Sequence, residues 1–312
     1  MKKNILKGND LISIDQLDKN IILSIFKTAD KIKKIKPKKA LNILKGKVVA
    51  LLFFEPSTRT FSSHCVAVKR LGGQTIEHQN PMQTSSVVKG ETIEDMIKIM
   101  EQYSDAIVIR HPVAGTAQIC AKTAGIPIVN AGDGIGEHPT QALLDMYTIY
   151  EKFKTLDGIK GLMVGDLLNG RTIHSLLKGL SFFKNSIIYL LSPKVLRLSK
   201  KELDEFCRRG IKLIEINNLN DIPPDLHFWY WTRVQKERFS DKNEYEKLKL
   251  SFILSKDLVD RKAGKKTLLM HPLPRVGEIK TEVDNDPRAV YLTTQAKNGM
   301  YVRMALLKMI LE

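Results

Sequence analysis

Cysteine is scarce in this chain: three in 312 residues, at positions 65, 120 and 207, with no Cys-x-x-Cys pairing. That spacing excludes a disulfide framework and a cysteine-built zinc site, and it argues for a reducing compartment. Long hydrophobic runs are also missing. No apolar stretch approaches the roughly 20 residues that span a bilayer. The N-terminal "MKKNILKGNDLISIDQ" has two lysines but no continuous apolar core behind them, so no signal peptide is expected. Acidic residues are the minority charge, 34 against 50 basic ones, for a formal net charge of +16. A nucleic-acid binder would show aromatic-basic interleaving, a zinc finger or a helix-turn-helix signal. None is present, so the lysines, dense in "KTADKIKKIKPKK", read as a solvated surface. The chain is expected to be a cytoplasmic protein of enzyme size, with no membrane and no nucleic-acid partner.

What is present is a core. The hydrophobic fraction is 43%, typical of a globular protein, and the length suits two domains of ordinary size. Ser13 and Gln16 form the pattern of a capping box for a first helix, with Leu17, Ile21, Ile22 and Ile25 on one face. Apolar strands then alternate with helical stretches: "KVVALLFF", "GQTIEHQ", "DAIVIRHP" and "IPIVNAG" with helices between them. The pattern restarts after "PTQALLDMYTIYEKFK", through "IKGLMVGD", "SIIYLLSP", "IKLIEIN", "DLHFWYW" and "TLLMHPLP", and ends on the striped helix "NGMYVRMALLKMILE". Such alternation predicts βαβ units. The fold class expected is α/β, with two doubly wound domains, each a parallel sheet flanked by helices, and the cleft between them as the default site.

Candidate chemistry gathers at strand ends. In "FFEPSTRTF" a strand turns into a helix through Ser57, Thr58, Arg59 and Thr60. A helix N-terminus offers unpaired N–H groups and partial positive charge; three hydroxyls and a guanidinium added there suit a phosphate oxyanion. A serine or threonine at that point can equally be a simple cap, which leaves Arg59 unexplained. Arg110 in "IVIRHP" lies at the carboxyl end of a strand, where open α/β sheets bind ligands. "GIGEHPTQ" puts His138 before a Pro at the first helical position, with Gln141 three residues on. No His, Cys or carboxylate has metal-ligand spacing with His138, so no metal is expected. Ser85 and Lys89 sit in "SSVVKGE", which has the look of a loop before a helix. Further on, Arg171 opens a helix in "GDLLNGRTIH", Arg233 and Gln235 are two apart in "WTRVQKER", and "MHPLPRVGEI" frames Leu273 with two prolines. Several arginines at strand ends suggest a substrate with more than one anionic group.

These motifs resemble a known family. "FFEPSTRT", "IRHP", "HPTQALLD", "VGDLLNGRTIHSL", "TRVQKER" and "HPLPR" follow one another as in the aspartate/ornithine carbamoyltransferases, over essentially the whole chain. "TRVQKER" with "HPLPR" resembles the branch that acts on aspartate; the ornithine branch would show H-C-L-P and S-M-G instead. The resemblance implies a carbamoyl phosphate-binding domain at 1–150, completed by a C-terminal helix at 297–312, and an aspartate-binding domain at 151–296. It implies that Ser57, Thr58, Arg59 and Thr60 hold the phosphate of carbamoyl phosphate, and that Arg110, His138 and Gln141 surround its carbonyl and amide. Leu273 resembles the position whose backbone carbonyl holds that amide. Arg171, Arg233 and Gln235 resemble the residues gripping the two carboxylates of L-aspartate, while Ser85 and Lys89 resemble a pair contributed by a neighbouring subunit, Lys89 toward the aspartate as well. A homotrimer with shared sites and no cofactor follows, with room for an associated regulatory chain. Phe61, Val88 and Gly277 depart from common family residues, as does the aromatic run before Arg233.

The expected reaction moves the carbamoyl group to the α-amine of aspartate in de novo pyrimidine biosynthesis. Arg59, Thr60, Arg110 and His138 would act as the catalytic donors, toward developing oxyanion charge and leaving phosphate. The rival readings are carbamoyl transfer to ornithine or another amine, and a basic nucleic-acid-binding or regulatory protein on the same scaffold.

Overall fold

The computed structural model describes residues 6–81, 89–235 and 241–312. They form two compact units: 1–144 with 298–312, and 145–297.

The first unit is built on four parallel strands. These are β1 (Val48–Phe53), β2 (Gln74–Gln79), β3 (Ala106–His111) and β4 (Ile128–Asp133), ordered β2-β1-β3-β4. The helices are α1 (Lys19–Lys34), α2 (Pro37–Ala40), α3 (Thr58–Arg70), α4 (Ile93–Met100) and α5 (Thr116–Thr123). β1 and β3 are almost wholly buried, which is why they read as unbroken apolar runs rather than alternating ones. Ala50, Leu52, Ile107 and Ile109 on one face pack with Met96, Ile97, Ala117 and Cys120 of α4 and α5. Burial pushes the Cys120 thiol up to about 12, so it behaves as a small apolar side chain.

One sequence expectation is corrected. Ser13 and Gln16 do form a capping box, but it caps only a 3-10 turn, Ile14–Gln16. The chain is extended again at Leu17, and the helix proper begins at Lys19 behind Asp18, whose carboxylate accepts from Ile21 N–H. Glu137 anchors the short turn: its carboxylate accepts from Ser13 Oγ at 2.8 Å and from Ile14 N–H at 2.9 Å.

The second unit carries β5 (Lys160–Val164), β6 (Ile187–Leu191), β7 (Lys212–Ile216), β8 (Phe228–Trp231) and β9 (Leu268–Met270), all parallel, in the order β7-β6-β5-β8-β9. The unit boundary falls inside two long helices, α6 (Pro139–Phe153) and the C-terminal α11 (Thr294–Leu311). Between them come α7 (Arg171–Leu180), α8 (Lys200–Arg208), α9 (Lys242–Leu248) and α10 (Lys256–Lys262). Ser199 and Glu202 make the capping box at the start of α8. The aromatic run before Arg233 is core: Trp229 and Trp231 are buried with ring centroids 5.9 Å apart, and Trp231 Nε1 donates to Phe252 O. The end of α11 belongs to the first unit, where Lys33 of α1 donates to Asn298 Oδ1 at 2.8 Å and lies over the Tyr301 ring. Among the described residues no helix is long and apolar enough to cross a membrane.

Two outcomes test this packing. His64 of α3 is buried; its Nδ1 lies 2.8 Å from Thr60 O, and burial, reinforced by the Arg303 charge, holds the imidazole well below its ordinary 6.5. The unfolded chain therefore binds the proton that the folded chain refuses, so stability falls as pH drops below about 6.5, by up to about 1.4 kcal/mol per pH unit for this site. His64→Phe should flatten that acid limb in urea titrations; an unchanged slope would count against it. At the end of β5, Gly165 has φ +114° and an added Cβ would lie 2.1 Å from Thr232 O, whereas Gly158 at φ +72° has open space around it. Gly165→Ala should cost more than Gly158→Ala, by about 1–3 kcal/mol, read as the difference in urea midpoints; equal midpoints would refute the crowding.

Candidate functional site

Most of the described candidate residues lie at the carboxyl edge of the sheet in their own unit. In the first unit, the parallel pairing of β1 with β3 sets Phe53 opposite Arg110, and Phe54 N–H donates to Arg110 O at 2.8 Å. The chain leaving β1 thus begins its turn at the very strand end that carries Arg110. Ser57 occupies the N-cap position of α3 but makes no capping hydrogen bond with its side chain. The simple-cap reading of that serine is therefore set aside. The first-turn N–H groups of Thr58, Arg59 and Thr60 have no i−4 carbonyl within the helix, because none exists at a helix start. Thr58 and Arg59 are exposed, while Thr60 is buried.

Arg110 is almost buried. Its guanidinium meets Glu55 Oε2 at 3.0 Å and donates to Ala131 O at 3.3 Å, so it spans from the β1–α3 turn to β4. Glu55 was not singled out from the sequence; the only signal for it was its place in the quoted turn. The β4–α6 loop is organised by Asp133, which accepts from Gly115 N–H at 2.9 Å and from Glu137 N–H at 3.0 Å. At Gly134, φ is +48° and a Cβ would lie 2.6 Å from Ala114 N, so the close approach of the loop after β3 requires glycine. This loop delivers His138, buried, immediately before α6. Its carbonyl accepts from Gln141 N–H at 3.0 Å, which brings His138 and Gln141 together as expected. Ser57, Thr58, Arg59, Thr60, Arg110, His138 and Gln141 all therefore sit on or just beyond the carboxyl ends of β1, β3 and β4. Phe61, where family members often carry arginine, is core, packed edge-to-face on Phe53 at 5.2 Å.

In the second unit the loop after β5 is built around Asp166, fully buried. Its carboxylate accepts from Asn169 N–H at 3.0 Å and from the Asn169 amide; burial raises its pKa, an effect opposed by these bonds and by one from Gln235 N–H. Asn169 O in turn accepts from Gln235 Nε2 at 2.9 Å. Thr232 N–H donates to Val164 O at 2.8 Å, so the segments after β5 and β8 leave side by side. The first holds Arg171, at the start of α7, and the second holds Arg233 and Gln235. Sequence reading missed Asp166, whose signal was a lone aspartate directly after a strand. Leu273 lies in the loop after β9 with φ +55°, and its N–H donates to His271 Nδ1 at 2.7 Å. Gly277 in the same loop adopts φ +123°, a conformation that suits glycine and explains its tolerance there. Ser85 and Val88 lie outside the described residues. Lys89 is exposed, in a short turn ahead of Thr92, the N-cap of α4.

Chemically, the first group can hold a phosphate and polarise a neighbouring carbonyl, and the second presents two arginines and an amide suited to carboxylates. The model of the aspartate/ornithine carbamoyltransferase carbamoyl-P binding domain matches residues 9–151, and that of the family's Asp/Orn binding domain matches 157–310. The aspartate carbamoyltransferase catalytic subunit of Methanocaldococcus jannaschii is 46% identical over 303 residues, covering 97% of this chain and 97% of that protein. Among solved structures, aspartate transcarbamoylase from Trypanosoma cruzi in complex with N-(phosphonacetyl)-L-aspartic acid matches with a TM-score of 0.92 at 38% identity, covering 99% of this chain and 98% of that one. The same protein in complex with carbamoyl phosphate and aspartate gives 0.91 at 37% identity, covering 98% of each. With both units matched and nearly the whole length aligned, the chain belongs to the aspartate/ornithine carbamoyltransferase family.

Proposed function

We propose that the chain transfers the carbamoyl group of carbamoyl phosphate to the α-amine of L-aspartate, giving N-carbamoyl-L-aspartate and phosphate, a step of de novo pyrimidine biosynthesis. The observation that carries this reading is the convergence of Arg110 with the α3 N-terminus, whose Ser57 side chain makes no cap. In it, Ser57, Thr58, Arg59 and Thr60 bind the phosphate of carbamoyl phosphate. Arg110, His138 and Gln141 face its carbonyl and amide, and the Leu273 carbonyl accepts from that amide. Arg171, Arg233 and Gln235 bind the two carboxylates of aspartate. Ornithine carries an ammonium where aspartate carries its second carboxylate, so two arginines select against it.

The amine attacks in its neutral form. Its lone pair makes the C–N bond while negative charge builds on the carbamoyl oxygen. Donors from Arg59, Thr60, Arg110 and His138 stabilise that charge more than the ground state. The C–O bond to phosphate then breaks, and the departing phosphate takes the amine's proton. No side chain has to act as general base. Much of the rate comes from holding the two substrates in line. The reading includes a cytoplasmic homotrimer in which Ser85 and Lys89 reach a neighbouring subunit's site.

Arg59→Ala should lower formation of carbamoyl-aspartate by about 10²–10³-fold or more while the oligomer, measured by sizing, survives; full activity would sink the assignment. For the shared site, Arg59→Ala and Lys89→Ala chains mixed and reassembled should regain activity, since some hybrid sites carry both wild-type residues. Verified hybrids that stay inactive would leave each chain working alone.

A further inference from the structure

Leu273 is held in a conformation it would not choose. A φ of +55° is uncommon for a bulky apolar residue and costs on the order of 1–3 kcal/mol unless surrounding structure imposes it. Two buried side chains hold the loop on either side of it. His271 Nδ1 accepts from Leu273 N–H at 2.7 Å. A ring nitrogen that accepts a hydrogen bond carries no proton, so in a neutral imidazole the proton resides on Nε2. That nitrogen lies 2.7 Å from Glu278 Oε1 and donates to it. The second carboxylate oxygen of Glu278 accepts from Val276 N–H at 2.8 Å. One His–Glu pair therefore grips the loop at residue 273 and again at residue 276.

The pair is itself anchored. His271 N–H donates to Gln295 Oε1 at 3.1 Å, and Gln295 Nε2 donates to Asp145 Oδ1 at 2.7 Å. Tyr230 OH reaches the other oxygen of Asp145 at 2.7 Å. Residues of β8, α6 and α11 thus all contribute to where His271 stands. Its charge state agrees with the geometry. Burial lowers the His271 pKa, and the Arg275 and Arg233 charges act in the same sense, against Glu278. Burial alone would raise the Glu278 carboxyl, but its bonds from His271 and Val276 hold it below the ordinary value. A neutral ring thus faces an ionised carboxylate.

We propose that His271, in the Nε2-protonated tautomer and backed by Glu278, is a positioning residue that aims the Leu273 carbonyl at the carbamoyl amide of the substrate. The inference rests on the functional reading above. His271 need not touch the substrate; it sets the peptide whose orientation decides whether that carbonyl can accept from an amide N–H.

Two near-isosteric variants of the full chain separate the two ends of the ring. His271→Asn keeps an acceptor close to the place of Nδ1, whereas His271→Gln keeps a donor close to the place of Nε2 and loses the acceptor. His271→Gln should lower kcat/KM for carbamoyl phosphate on the order of 100-fold, the scale of a small misplacement at a reacting group. His271→Asn should recover most of that loss. Inorganic phosphate has no amide, so its Kd should be the same in both variants as in the wild type. Equal losses in the two variants would overturn the inference, as would phosphate binding that weakens in step with carbamoyl phosphate. Should neither variant fold, imidazole 15N shifts of the labelled wild-type chain decide: a proton on Nδ1, or on both nitrogens, at neutral pH refutes the arrangement. A wild-type chain that forms no carbamoyl-aspartate overturns the functional reading and this inference with it. An active wild type with wild-type-like His271→Gln overturns this inference alone.

Discussion

The pairing of Phe53 with Arg110 across two parallel strands is the constraint on which the candidate residues of the first unit depend. In a parallel sheet every strand runs the same way, so all the chain exits that follow strands lie at one edge. A residue at the end of β3 and a turn at the end of β1 become neighbours without either having to reach. Shifting that register by one residue would turn Arg110 to the opposite face and separate it from Glu55. The burial of both strands resists such a slip, because apolar residues such as Ala50, Leu52, Ile107 and Ile109 would lose their core partners. The polar and charged groups at these strand ends are therefore placed by the hydrophobic core beneath them.

Buried carboxylates do the next part of the work. Asp133 organises the loop that delivers His138, Asp166 the loop that delivers Arg171, and Glu278, through His271, the loop that carries Leu273. Each accepts from backbone N–H groups of its own loop or from a group that does. A loop leaving a sheet has lost its ladder partners, and its N–H groups need acceptors when water is excluded. A carboxylate supplies two oxygens and several lone pairs from one residue, so it can order a short loop that secondary structure cannot reach. At these strand ends the acidic side chains are turned toward backbone N–H groups, while Arg110 links a carboxylate to a backbone carbonyl.

Much of this was legible in the sequence. The buried parallel strands announced themselves as apolar runs such as "VVALLF" and "AIVIRH", and the helices by their periodicity and by caps such as Ser199 with Glu202. Arg59, Arg110, His138, Arg171 and Arg233 stood out as charged or titratable groups at strand ends or helix starts. Other features were not legible. The Ser13–Gln16 box has the local pattern of a helix start, yet Glu137, more than 120 residues away, accepts from its first residues and a 3-10 turn is all that forms. The aromatic run "HFWYW" looked like a departure beside the aspartate-side arginine and proved to be core.

Sequence alone determined the order of elements, the parallel class of the sheets and the residue types gathered at their ends, because these follow from local periodicity and from what each side chain can bond. Only tertiary structure decided which side chains are spent on holding loops and which remain directed outward. Ser57 could have capped α3 and does not; Asp166 and Glu278 could have been surface acids and are buried. Those outcomes depend on which distant N–H groups arrive within about 3 Å of an oxygen, the reach of a hydrogen bond. Segments far apart in the chain meet at that distance only after the core has packed.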